Sequence, residues 1–175
     1  MSELRRRRSV VRINVGCGGR VLKGYTGVDI VKRPGADIIA PADKIPLPDG
    51  SCEEVLAVHL VEHAHRWEAE GLLREWFRLL KPGGLLALEM PDLIKCCLNI
   101  VNHVKGKHPD QLGLWGLYGD DRMKDPYMMH KSGWTFSTLA PLVVKVGFVE
   151  PTELDTEFHT AGRIIRDFRL EARKP

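Results

Sequence analysis

The chain has 175 residues, 43% of them hydrophobic, and a formal charge of +3. A chain of this size buries about two-thirds of its unfolded surface, enough for one compact domain without disulfide or metal staples. Four cysteines without CxxC spacing argue against a disulfide framework or zinc ribbon, and no apolar stretch approaches the roughly 20 residues of a membrane span or the core of a signal peptide. The expected location is therefore a reducing cytoplasm.

Residues 1–8 read as a basic, flexible leader, and residues 9–175 as a single domain. Five arginines stand against Glu3 in residues 1–12, a local charge of +4 that leaves −1 for the remainder. Such a run can grip phosphates, but it is more often a solvated face.

The β-branched residues from Val10 to Val15 predict a buried parallel strand that ends at a glycine cluster, INVGCGGRVLKGYTGVDI over residues 13–30. TGVDIV predicts a second strand. EVLAVHL at 54–60, after the turn-rich PLPDGS, predicts a third, and LLALEM at 85–90 a fourth. Between the last two, RWEAEGLLREWFRLL places Trp67, Leu72, Leu73, Trp76, Phe77 and Leu80 on one helical face, and KPGG ends the helix.

Asp92 is positioned to cap a helix with Leu93, Ile94, Cys97, Leu98, Val101 and Val104 facing inward; Cys96 and Cys97 read as packing thiols. Residues 106–133 have neither helical nor strand period and exceed an ordinary connection, as lids and binding loops do. A helix is expected after Ser137, with Pro141 in its first turn and Gly147 at its end, followed by strands near 148–154 and 164–173. This alternation predicts an α/β domain with a largely parallel sheet.

Glycines let backbone amides approach a ligand closely. A dinucleotide site wants G-x-G-x-x-G with an acid about 20 residues on, but Val21 stands in place of the third glycine and Asp29 comes too soon. A P-loop fails for want of G-K-[ST]. The pattern instead resembles motif I of the class I S-adenosylmethionine-dependent methyltransferases, as NVGCGG followed by the ribose-binding acidic position in GVDI. KIPLPDGS, VLAVHLVEH and REWFRLLKPGGLLALEMPD look like the segments around strands three to five of the small type 11 group, so that the resemblance runs from about Val10 to Phe148.

That resemblance implies a Rossmann-like, doubly wound, mostly parallel sheet with an antiparallel C-terminal edge strand. Only twelve residues separate Gly16 from Asp29, which shortens or removes the first crossover helix. The implied cofactor is S-adenosyl-L-methionine, leaving as S-adenosyl-L-homocysteine. Asp29 would accept hydrogen bonds from both ribose hydroxyls, with Ile30 beside it, and the amino-acid end of the cofactor would lie along Gly16, Cys17, Gly18 and Gly19. Asn14 stands where the family often has an acid, Asp43 and Lys44 would meet the adenine, and His59 would border the cofactor.

HLVEH at 59–63 also spells H-x-x-E-H, the inverted zinc-protease signature. That chemistry needs both histidines on one helical face, whereas His59 ends a strand-like run, so no metal is expected. On the methyltransferase reading, Glu62 and His63 stand at the carboxyl end of strand four and His130 reaches in from the long loop. Each is a candidate to accept a proton from a hydroxyl acceptor, and each also has a plain structural reading. Trp115, Tyr118, Tyr127 and Trp134 either line an acceptor pocket or anchor the loop.

An Asp/Asn-Pro-Pro-aromatic motif after strand four and a Pro-Cys nucleophile loop are both absent. Their absence argues against nucleic-acid acceptors, and the family resemblance then implies a small molecule or saccharide methylated on oxygen; no membrane partner is expected. Two alternatives stay open, a non-catalytic cofactor-binding or regulatory module and an RNA-modifying methyltransferase recruited by the arginine leader.

Overall fold

The computed structural model describes residues 11–158 and 165–175; the basic leader lies outside the described residues. The apolar runs form β1 (Val11–Val15), β2 (Thr26–Asp29), β3 (Ile38–Ile39), β4 (Cys52–Val58), β5 (Leu80–Pro91), β6 (Val149–Leu154) and β7 (Asp167–Arg173). They make one sheet in the order β3-β2-β1-β4-β5-β7-β6. From β3 to β5 all neighbours are parallel, while β7 runs antiparallel to both β5 and β6. The expected antiparallel strand thus lies one position in from the rim, with β6 outermost.

The helices are α1 (Ala69–Leu79), α2 (Leu93–Val101), α3 (Leu114–Tyr118) and α4 (Phe136–Val146). The predicted shortening of the first crossover goes to completion, since residues 16–25 form turns, and among the described residues no helix joins β2 to β3 or β3 to β4 either. Left-handed glycines at 16, 18, 19 and 24 account for the first of these. No helix in the described residues is long and apolar enough to cross a membrane.

Both long crossover helices pack on one face of the sheet and against each other. Beneath them lies the core, in which Ile13, Val15, Val55, Ala57, Leu86, Leu88, Phe168 and Leu170 from the strands meet Leu73, Trp76, Leu139 and Val143 from the helices. In α1 the apolar stripe is Ala69, Leu72, Leu73, Trp76 and Leu79. Trp67 falls outside this helix, is exposed, and stacks on His65 with ring centroids 4.3 Å apart. Leu80, expected on the same stripe, already begins β5.

The alternate strand positions form the other face, which carries charge. Arg12 Nε donates to Glu54 at 2.8 Å, and the Tyr25 hydroxyl bonds the same carboxylate. Buried Glu89 accepts from Arg169 Nη1 at 2.8 Å and from the backbone N–H groups of Glu157 and Phe158 at 2.7 and 3.1 Å. The chain leaving β6 therefore crosses to this side, where Phe158 meets Tyr25 edge-on. Paired charges and a strap of backbone take the place that crossover helices would occupy.

Two helices differ from expectation. Asp92 caps α2, accepting from Lys95 N, but Cys96 and Asn99 point inward while Ile94, Cys97, Leu98 and Val101 face solvent. Asn99 sets this rotation, because its amide donates to Leu112 O at 2.9 Å and Ile165 O at 3.0 Å. A buried amide with two carbonyl partners outweighs apolar periodicity here. In α4, Thr135 and Thr138 form a reciprocal capping box that starts the helix before Ser137 and leaves Pro141 in its interior rather than its first turn.

Candidate active site

The glycine turn folds back on β2, with the N–H groups of Gly16 and Cys17 donating to Val28 O at 2.8 and 3.1 Å. Gly16 and Gly18 take φ of +67° and +57°, and a Cβ at Gly16 would come within 2.7 Å of Leu60 Cδ1. Asp29, at the carboxyl end of β2, accepts from Gly18 N at 2.8 Å through Oδ2 and from Val31 N at 2.9 Å through Oδ1. Each oxygen holds a second lone pair, so the carboxylate is fixed beside the glycine turn and still able to accept.

These groups open onto a cavity of about 770 Å³ at the carboxyl edge of the sheet. Asn14, Gly16, Cys17, Gly18, Asp29, Ile30 and Asp43 all line it. Gly19 and Lys44 do not. Gly19 packs toward Pro34 and Arg33, and the Lys44 N–H closes a turn on Pro41 O at 3.1 Å. Ala40, Pro41, Ala42 and Asp43 form that wall instead, held from behind by Trp76 Nε1, which donates to Ala42 O at 3.0 Å.

HLVEH leaves the strand at His59, whose φ of +53° turns the chain, and Val61–His63 form a single 3-10 turn. His59 Nε2 lies 3.1 Å from Asp167 Oδ2, and its Nδ1 2.9 Å from Glu62 Oε1. Burial works against a charged imidazole here, yet Asp167 and Glu62 together push the His59 pKa up to about 9. Burial likewise opposes ionisation of Asp167, but His59 and Arg166 hold its carboxyl well below the usual range. His59 is thus a charged strut between two carboxylates as well as a wall of the cavity.

His63 and His130 meet edge-on across the cavity, ring centroids 4.8 Å apart. His63 Nδ1 lies 3.2 Å from Met129 O, and His130 Nδ1 lies 3.0 Å from Gly116 O. His130 Nε2 is 4.0 Å from Glu62 Oε1, and burial lowers the His130 pKa against the pull of that carboxylate. The structure therefore brings the three catalytic candidates together, two of them from the 3-10 turn after β4 and one from the long loop.

Residues 106–133 build the cavity's outer wall, with Trp115 and Tyr127 lining it. Tyr118 is exposed and outside the lining, and Trp134 is buried in the core, where its Nε1 donates to Ser132 and Arg66 covers its ring. Of the four aromatic candidates, two line the cavity and Trp134 anchors the segment. The lining also includes Gln111, Asp120, Arg122 and Arg166. No local pattern marks these in the sequence; Arg166 reaches the cavity only because β7 sits beside β5 and brings its leading residues to the same edge.

The family model described as "Methyltransferase domain" matches residues 13–88. No curated protein sequence matches the chain. Among solved structures, a SAM-dependent methyltransferase from Archaeoglobus fulgidus is 17% identical with a TM-score of 0.60, over 95% of this chain and 87% of that one. A SAM-dependent methyltransferase from Thermotoga maritima is 18% identical with a TM-score of 0.62, over 94% and 82%. The 1,6-didemethyltoxoflavin-N1-methyltransferase of Burkholderia thailandensis, solved with 1,6-didemethyltoxoflavin and S-adenosylhomocysteine, is 17% identical with a TM-score of 0.62, over 94% and 70%. The strand order, the glycine turn and the match over residues 13–88 liken the chain to the class I, S-adenosylmethionine-dependent methyltransferases of the type 11 domain group.

Proposed function

We propose that this methyltransferase acts on a small-molecule or saccharide acceptor, at an oxygen atom. The observation that carries this reading is one continuous cavity with Gly16, Gly18 and Asp29 at one end and His63, His130, Trp115 and Tyr127 at the other. Its volume falls within the range of about 300–1,000 Å³ typical of small-ligand sites. A flat basic track of the kind that follows a nucleic-acid strand would be built differently.

The residues present fit the cofactor. Asp29 would take the ribose hydroxyls, Asn14 and the amides of the glycine turn the amino-acid end, and Ala42 with Asp43 the adenine, against which Ile30 would pack. When bound, S-adenosylmethionine supplies an electrophilic methyl group, so the protein's tasks are alignment, exclusion of water and removal of the acceptor's proton. Tyr127 offers an apolar face to an acceptor, whereas the Trp115 ring, stacked on His108 and covered by Arg122, would border it edge-on. The Nε2 atoms of His63 and His130 carry the lone pairs that would accept its proton, because each Nδ1 is committed to a backbone carbonyl. The toxoflavin-precursor enzyme, solved with a small heterocycle beside the demethylated cofactor, supports a small acceptor for this fold.

The test is a screen of hydroxylated metabolites and sugars with S-adenosylmethionine, reading S-adenosylhomocysteine and a product heavier by one methylene. Turnover with an alcohol supports the reading. Turnover confined to amines overturns the oxygen assignment, and turnover only with RNA overturns the acceptor class.

A further inference from the structure

The HLVEH motif fails as a zinc-protease helix, yet the structure reassembles part of it with a residue from the long loop. Glu62, His63 and His130 each offer a donor atom, and these atoms lie within 4.8 Å of one another. We propose that these three residues bind a divalent transition-metal ion.

Glu62 is the first reason. It is 2% exposed, and its Oε2 has no hydrogen-bond partner among the described residues. Its Oε1 is paired with His59 Nδ1 at 2.9 Å. A buried carboxylate oxygen left unbonded is rare, because burial removes the water that would otherwise satisfy it. A cation ligated by Oε2 would complete it.

The two histidines are the second reason. A carbonyl oxygen only accepts, so the contacts of His63 with Met129 O and of His130 with Gly116 O place the proton on Nδ1 of each ring and leave Nε2 as a bare lone pair. A ring held by its second nitrogen in this way is in the tautomer that ligates a metal. Metal bonds of about 2.0–2.2 Å span donor atoms roughly 3–4 Å apart; His130 Nε2 already lies 4.0 Å from the nearer oxygen of the Glu62 carboxylate, and the set needs to draw in by about 1 Å for Oε2 and both Nε2 atoms to share an ion. His63 is partly exposed and free to make that adjustment.

Two imidazoles and one carboxylate suit Zn²⁺, Fe²⁺, Mn²⁺ or Co²⁺ in preference to Mg²⁺ or Ca²⁺, which take oxygen ligands. Three protein ligands also leave coordination positions open, and His63 and His130 both face the cavity. An acceptor oxygen held there would lose its proton more readily, and with both Nε2 atoms on the ion that proton would pass to solvent instead of to an imidazole. That role rests on the oxygen-methylation reading; the metal site itself does not.

The experiment strips the full chain with chelator and titrates it with Zn²⁺, Mn²⁺ or Co²⁺ alone by calorimetry, following the Co²⁺ absorption bands. The expected result is one equivalent bound, with nitrogen and oxygen bands in place of thiolate charge transfer. In His130→Asn and in Glu62→Gln, metal affinity should fall by about tenfold or more, with circular dichroism unchanged. If Glu62→Gln does not fold, His130→Asn and His63→Gln read the same site. The proposal is overturned if folded wild-type protein takes up no ion, or if uptake is the same in wild type and every folded variant. S-adenosylhomocysteine titrated into the same metal-free samples separates the two readings, because cofactor-product binding without metal uptake overturns only the metal site, and metal uptake without cofactor-product binding overturns only the cofactor assignment.

Discussion

The indole of Trp76 and the carbonyl of Ala42 join the core to the cavity through one 3.0 Å hydrogen bond. Trp76 is fully buried in α1, and Ala42 belongs to the wall proposed for the adenine. Trp76→Phe keeps most of the apolar volume and removes only the donor. It should cost about 1–3 kcal/mol in urea unfolding and weaken S-adenosylhomocysteine binding several-fold by calorimetry. Trp76→Ala should cost about 3–5 kcal/mol through the cavity it leaves. A Phe variant that loses stability but binds with wild-type affinity would show that the wall does not depend on this tie.

Asp29 gives the sharpest test of the cofactor end. Hydrogen bonds to a charged group contribute about 1.5–3 kcal/mol, so Asp29→Asn should weaken S-adenosylhomocysteine binding by roughly tenfold to a hundredfold. Unchanged affinity would remove the ribose from this position.

Arg78 ties the end of α1 to the segment before β4. It donates to Glu75, Asp49 and the carbonyls of Ile45 and Leu47, while Glu75 also accepts from Ile45 N at 2.7 Å. Arg78 is the main reason that the Glu75 carboxyl titrates below its usual range, against the opposing effect of partial burial. A depressed folded-state pKa gives stability that is complete above the unfolded value and lost as pH falls through the folded one. Wild type should therefore lose stability relative to Glu75→Gln as pH drops below about 4.3, the ordinary value for glutamate, and hold its advantage from pH 5 upward. Urea midpoints measured at pH 3.5 and 6 check this; a constant difference between the two proteins would remove Glu75 from the acid response.

The thiols should divide sharply. Cys17, Cys52 and Cys96 are buried and Cys97 is exposed. Burial pushes the Cys96 thiol up to about 12, so it remains protonated at assay pH. A thiol-reactive chromophore at pH 8 should titrate one group in native protein and four after unfolding. Rapid reaction of Cys96 would mean that α2 opens from α3 easily.

Much of this architecture is legible in the chain because local and global signals agree. The β-branched runs, the glycine turn, Asp29 two residues after Gly27 and the Asp92 cap each state their role in a few neighbouring residues. Legibility fails where a distant partner decides. Apolar spacing turns Leu98 and Val101 inward, and only the carbonyls of Leu112 and Ile165 explain why Asn99 takes that place. Trp67 continues the helical stripe on paper, but the helix begins two residues later and leaves it exposed. The catalytic candidates were individually visible, whereas the meeting of His130 with Glu62 and His63 depends on the fold of a 28-residue segment without periodicity. Asp167, which charges His59, depends on an antiparallel pairing that no local pattern announces.

The division of the cavity has an evolutionary corollary. The half proposed for the cofactor is built from β1, β2 and the stretch before β4, and the half proposed for the acceptor draws heavily on the segment between α2 and α4, which enters from one side and returns to the scaffold at Trp134. On that proposed reading, specificity and cofactor use are encoded in separate stretches of gene. Grafting a foreign insert between Val101 and Trp134 would retarget the enzyme while its nucleoside grip stayed untouched.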